Sequence, residues 1–158
     1  MKYLENRNME LKVLKDWKLY TGQEHENIYD YISNNINPEN VYLIGKYIYT
    51  PDIIKFEKGF FLTERITASG YDLWMGNLNK NIIEVEKIIN HIHIYDLFVH
   101  FNGDVDENIF LEIGKQMELS WKMYLKHKFP LEEFVINFDD GKNDYGPTIT
   151  FYNKKSIR

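Results

Sequence analysis

The densest set of side chains able to do chemistry lies in NHIHIYD, residues 90–96, which with His100 places three histidines and the carboxylate of Asp96 within a short span. Two histidines separated by one residue project to the same side of an extended segment and can share a metal ion there. On a helix His91 and His93 would point about 200° apart and could not chelate. The run departs from the HxHxDH pattern of metallo-β-lactamase-like hydrolases, because Asp96 stands one place late and no histidine comes directly after it. A metal-dependent or acid/base enzyme built on His91, His93 and Asp96 is therefore one reading. Structural or helix-capping histidines are the plainer one, and leave the chain with no resident metal and no cofactor.

Carboxylates cluster at Glu84 with Glu86, at Asp104, Asp106 and Glu107, at Glu132 with Glu133, and at Asp139, Asp140 and Asp144. Paired acids do acid/base work only when a cleft brings them together, so most of these read as solvated turn and cap residues. The stretch DDGKND has the flavour of a calcium loop, yet it fails the D-x-[DN]-x-[DN]-G order and offers no glutamate at the closing position. The sequence contains no Gly-rich phosphate loop, no G-x-S-x-G elbow and no cysteine nucleophile. Ser120 falls inside a helical pattern and reads as a packing residue. Tyr145 follows Asp139, Asp140 and Asp144, and together they would make an acidic, aromatic patch suited to a basic partner through charge steering and ring burial. The alternative is that Tyr145 merely covers its own hairpin.

The elements that must position these groups are organised around residues 104–138. Ile109, Phe110, Ile113, Met117, Trp121, Tyr124 and Leu125 recur at three and four residues and line one helical face, with Glu112, Lys115, Glu118, Lys122 and Lys126 largely on the other. Asp104 and Glu107 are spaced for a capping box at its start, and Pro130 predicts an exit near Lys128. The period then changes to two, Phe134, Ile136 and Phe138 alternating with Val135 and Asn137 as in a strand. Beyond DDGKNDYG, Ile149 and Phe151 alternate with Thr148, Thr150 and Tyr152, which completes a hairpin.

Upstream, Met9, Leu11 and Val13 alternate as a strand does, although Leu11, Leu14, Lys15 and Lys18 also fit a helix; the strand is preferred. Ile28, Tyr31 and Ile32 predict a helix over 24–35, with a stop at Asn34-Asn35. Asn37-Pro38 starts another, ended by Thr50-Pro51, whose buried stripe would be Val41, Ile44, Tyr47 and Ile48. DIIKFEKGFFLTE reads as a hairpin. A three-residue loop, Glu57-Lys58-Gly59 with Gly59 left-handed, pairs Phe56 with Phe60 and Ile54 with Leu62. A two-residue loop, taken to pair Phe56 with Phe61 and Lys55 with Leu62, sorts the pattern less well. Residues 64–78, with Gly70 and Gly76, read as a connection anchored by Tyr71, Leu73 and Trp74. Asn79 or Asn81 then caps a helix with Ile82, Val85, Ile89 and Ile92 on its stripe, stopping near Asn90 or running on to Asp96.

The 158 residues suit a single domain able to bury roughly two-thirds of its unfolded surface. A hydrophobic content of 44%, 16% of residues being aromatic, argues against disorder, and no apolar run reaches membrane-spanning length. MKYLENRNMELK lacks a secretory signal pattern and cysteine is absent, which together predict a cytoplasmic protein without disulfides. A net charge of −5 speaks against nucleic acid and favours basic protein partners. No membrane association is expected.

The segments IIEVEKIINHIHIYDLF, IGKQMELSWKMYLKHKFPLEEFVINF, TITFYN and IIKFEKGFFL resemble a family of small bacterial proteins without an assigned activity, over about residues 38–153. In size, acidity and single-domain build the chain is also similar to the immunity proteins that accompany bacterial toxins. The expectation is an α+β fold, an antiparallel sheet built from two β-hairpins with about four α-helices packed mainly on one face. The leading functional expectation is a protein-binding protein, of the immunity kind, that neutralises a basic toxin through Asp139, Asp140, Asp144 and Tyr145, with His91, His93 and Asp96 as further binding residues. A homo-oligomeric structural subunit is a third reading.

Overall fold

The structure is a computed structural model that describes residues 11–22, 27–142 and 144–154. It is α+β, and it divides into two compact units, residues 1–42 and 43–158.

In the first unit, α1 spans Lys12–Thr21 and α2 spans Ile28–Asn35. The strand expected here is a helix instead, and Met9 lies outside the described residues. The deciding pattern is Leu11, Leu14, Trp17 and Thr21, which are half-buried at spacings of three and four. Gly22 then stops the helix in the left-handed conformation, φ 65°, its N–H donating to Lys18 O. Trp17 sets its ring edge-on to Tyr31, centroids 6.0 Å apart. The α2 start is a full capping box: Asn27 Oδ1 accepts from Tyr29 N and Asp30 N, and Asp30 Oδ2 accepts from Asn27 N at 3.0 Å. Its Asn34-Asn35 end is as expected.

Helix α3, Pro38–Ile44, starts at the expected proline, with Asn37 Oδ1 accepting from Glu39 N at 2.9 Å. It continues as a π-helical turn, Gly45–Tyr49, closed by Thr50 N donating to Gly45 O. The wider turn breaks the three-four stripe. Val41, Ile44 and Tyr47 are exposed, and Ile48, joined by Tyr49, packs on the core of the second unit.

Among the described residues, all the strands lie in the second unit. β1, Ile53–Phe56, and β2, Gly59–Leu62, form a hairpin around the two-residue turn Glu57-Lys58, with Glu57 at φ 50°. The pairs are Ile53 with Leu62, Ile54 with Phe61, Lys55 with Phe60 and Phe56 with Gly59, which corrects both the three-residue loop and the pairs expected of a two-residue one. Alternation could not choose the register because β2 is buried on both faces: Phe60 and Leu62 face one core, Phe61 the other. Gly59 is needed for space, since a Cβ there would lie 2.6 Å from the Phe61 ring.

The stretch read as a connection contains α4, Ala68–Asn77, capped by Thr67 Oγ1 accepting from Gly70 N at 3.0 Å. Tyr71, Trp74, Met75 and Leu78 carry its apolar side at helical spacing, whereas Leu73 points outward. α5, Ile82–Ile89, is capped by Asn81 and buries Ile82, Val85, Glu86 and Ile89. β3 is short, Ile92–His93, and a 3₁₀ turn follows at Tyr95–Phe98. α6, Asn108–Lys128, begins later than the Asp104–Glu107 box implied; Asp106 Oδ1 accepts from Asn108 N at 2.9 Å instead. Its end at Lys128 is as expected. β4, Phe134–Asp139, and β5, Thr148–Asn153, form the second hairpin, with Phe134 opposite Asn153 and Asp139 opposite Thr148.

Among the described residues, five strands make two antiparallel sheets, β1-β2 and β3-β5-β4, where one was expected. The sheets are joined by side chains of α5 and the residue after it. Glu86 Oε1 accepts from Phe60 N at 2.7 Å and its Oε2 accepts from Asn153 N at 3.0 Å. Asn90 Oδ1 accepts from Leu62 N, while its amide donates to Phe60 O and Phe151 O. These two fully buried residues stand where a backbone ladder between β2 and β5 would have been. Above them Trp121 closes the main core, its Nε1 donating to Ile48 O at 2.8 Å and Ser120 Oγ to Tyr49 O at 2.7 Å.

Candidate functional site

The site forms where α5 ends. Asn90 is committed to the sheet junction, so the chain leaves helical geometry there and enters β3 extended. His93 pairs with Thr148 and Ile92 with Ile149, and Ile94 N donates to Pro147 O at 2.9 Å. Extended backbone puts His91 and His93 on one side. Their Nε2 atoms lie 3.1 Å apart, a distance at which one ring's N–H donates to the other's lone pair.

Tyr145 stacks on His93, centroids 4.1 Å apart and planes 13° off parallel. Its hydroxyl donates to Asp96 Oδ2 at 3.0 Å. The tyrosine is thus fixed at both ends while 56% exposed. Burial, then the neighbouring His93 ring and Arg65, hold the His91 imidazole below the usual histidine range, against the pull of Asp144. Desolvation, followed by the hydrogen bond to Asp96 and the charges of Asp96 and Asp144, pushes the Tyr145 phenol up.

The acidic residues part company. Asp139 closes the turn by accepting from Gly141 N at 2.8 Å. Asp140 forms an exposed ion pair with Lys142 at 2.6 Å, whose hydrogen bond holds its carboxyl below the usual range and raises the ammonium. Asp144 Oδ1 accepts from Tyr145 N at 2.7 Å. Of the sequence-derived candidates, then, His91, His93, Asp96 and Tyr145 form one hydrogen-bonded and stacked chain, with Asp144 close enough to be felt. Asp139 and Asp140 serve the loop.

Tyr145 divides two open clefts. One, of about 410 Å³, is lined by Tyr95, Glu107, Asp140, Lys142 and Asp144 among others. The other, of about 460 Å³, is lined by Asp96, Phe98, Val99, Phe101 and Phe110 among others. Tyr95, Glu107 and Tyr145 belong to both. Phe110 from α6 meets Tyr95 edge-on at 4.7 Å, which seats the 3₁₀ turn on the helix and leaves Val99 and Phe101 outward. Sequence reasoning missed this apolar wall, because HIHIYDLFVHF alternates as a strand does, whereas the chain turns as a 3₁₀ helix at Tyr95–Phe98. The signal available was the crowding of aromatic residues between two acidic runs.

Among the described residues, no group of three or more histidine, cysteine or carboxylate side chains is arranged to hold a metal ion, and no helix is long and apolar enough to cross a membrane. Comparison with protein-family models, curated proteins and solved structures returned no match.

Proposed function

We propose that this chain is a protein-binding protein that grips a cationic, apolar-tipped segment of a partner in the acidic aromatic groove flanking Tyr145, and that its biological role is that of an immunity protein neutralising a basic toxin. The observation that carries the reading is Tyr145 itself. It is an exposed aromatic side chain held by a stack on one face and a hydrogen bond at its tip, between two clefts rimmed with carboxylates. A ring already fixed loses little rotamer freedom on binding, and buried tyrosines are frequent binding hot spots.

Charge decides the sign of the partner. Asp96, Glu107, Asp140 and Asp144 line the clefts against one lysine, Lys142, which is already paired. A Lys or Arg on the incoming segment meets net negative potential, and Val99 and Phe101 offer it apolar surface. The net charge of −5 extends the same field over longer range. The toxin-neutralising role rests on the likeness in size and acidity to immunity proteins.

The test is capture of the partner from source cells with tagged wild-type protein, D140K/D144K, Tyr145→Ala, and E64K/E118K as a control of equal charge change away from the groove. Wild type and control should retain one stoichiometric, basic protein, and the two groove variants should lose it. Co-expression with that partner should then protect cells in the same order. Capture that survives both groove variants would remove the groove from consideration, and an acidic partner would contradict the electrostatics.

A further inference from the structure

We propose that His91 and His93 form a bidentate site for a divalent transition-metal ion, with their two Nε2 atoms as ligands. The inference does not depend on the groove reading, and it goes against the plainer expectation of structural histidines. Two nitrogens bound at about 2.0–2.1 Å to a tetrahedral ion are roughly 3.3 Å apart. The observed Nε2 separation is 3.1 Å, so a metal ion needs only a small opening of the pair.

Pre-organisation supports the same conclusion. The backbone places the ligands, since β3 is pinned to β5 through Ile92 and His93. Tyr145 clamps the His93 ring through the stack, and both rings are half-buried, so coordination freezes little motion that is not already frozen. Imidazole nitrogen suits Zn²⁺, Ni²⁺ and Cu²⁺ and not Mg²⁺ or Ca²⁺, which want oxygen. No third side chain completes a metal-holding group among the described residues, so the remaining coordination positions are open to water or to a donor from a bound molecule.

The protons balance without a charge change on the rings. Each neutral imidazole carries one ring proton, and in the metal-free pair one of these lies between the two Nε2 atoms. Coordination moves it to Nδ1 of its own ring, so both ligands bind as neutral Nδ1–H tautomers. His93 Nδ1 is buried with no hydrogen-bond partner. Metal-bound histidines ordinarily donate that outer N–H, and lacking the acceptor weakens a site by about 10–100-fold. The ion is therefore exchangeable.

The experiment is a titration of the full chain, free of any histidine tag, with Zn²⁺ alone and then Ni²⁺ alone, followed by calorimetry and by NMR of the imidazole nitrogens. One ion per chain should bind, with the Nε2 signals of His91 and His93 moving together and those of the other three histidines unmoved. Losing a ligand should cost at least what losing an outer-shell partner costs, so His91→Gln and His93→Gln should each weaken binding by about tenfold or more, while His100→Gln should not. Amide spectra of the variants check that the fold persists, and the wild-type nitrogen shifts test the site without any substitution. Absence of saturable binding, binding unaltered in both variants, or shifts confined to the other histidines would each overturn the assignment.

Discussion

Glu86 shows how one residue can govern a fold. It is fully buried and accepts from Phe60 N and Asn153 N, which lie on strands of different sheets. Glu86→Ala would leave both N–H groups without this acceptor, each orphaned group costing about 1–3 kcal/mol, so a stability loss of roughly 2–6 kcal/mol is expected in urea denaturation. Glu86→Gln keeps one acceptor oxygen but turns an NH₂ toward the other N–H, and should lose about half as much. Equal stability of all three proteins would show that the junction is held by packing alone. The residue was legible in part. Ile82, Val85, Glu86 and Ile89 fall at the three-four spacing of a buried stripe, but reading Glu86 with Glu84 as a surface pair obscured it. What spacing could not reveal was the partner, because the two N–H groups come from distant parts of the chain. His91 makes a second residue-scale prediction. Its folded pKa is depressed below the ordinary histidine value by burial, His93 and Arg65, with Asp144 opposing. Its contribution to stability is thus fully present above the unfolded value and is lost as pH falls through the folded one. In metal-free protein, NMR titration should find His91 protonating below the ordinary histidine value of about 6.5; protonation above that value would contradict the environment described.

At the scale of elements, the β4–β5 connection determines whether Tyr145 reaches His93. Gly141 is left-handed, φ 78°, and a Cβ there would sit 2.2 Å from the backbone carbonyl carbon of Gly146. Backbone cannot swing aside as a side-chain tip can, and the left-handed conformation itself costs a non-glycine residue about 1–2 kcal/mol. Gly141→Ala should therefore lower stability by about 1–3 kcal/mol and displace the Tyr145 ring, seen as loss of its contacts with His93 in NMR spectra. Retention of those contacts would place the tyrosine's anchor in β3 and Asp96 rather than in the loop. The sequence made the hairpin itself readable, since Phe134 to Phe138 and Ile149 to Phe151 alternate cleanly. It did not expose β3, whose two residues are too few to show a period, and it misassigned the first hairpin because a strand buried on both faces has no alternation to read. α4 was hidden for another reason: Gly70 and Gly76 read as loop residues, yet Thr67 caps the segment and Tyr71 with Trp74 gives it a buried side.

At the scale of the molecule, the α+β class followed from periods that switch between helical and extended, while the division into two units did not, since no composition change marks it. All members of both core clusters, from Ile48 to Phe151, come from residues 43–158. Neither α1 nor α2 contributes a buried residue. A fragment of 43–158 therefore keeps every core member among the described residues, and should unfold in one cooperative transition with near-UV circular dichroism like that of the full chain. Its midpoint should shift by only a few degrees, about what 1 kcal/mol produces in a chain of this size. A broad transition without near-UV signal would mean that the first unit supplies stability that burial does not reveal. The fragment also retains every described residue lining the two clefts, from Tyr95 to Pro147. If the groove is the binding surface, the fragment should hold the captured partner as tightly as the full chain does, with the same loss on Tyr145→Ala. A fragment that folds normally but no longer binds would move recognition to the first 42 residues, however acidic the groove.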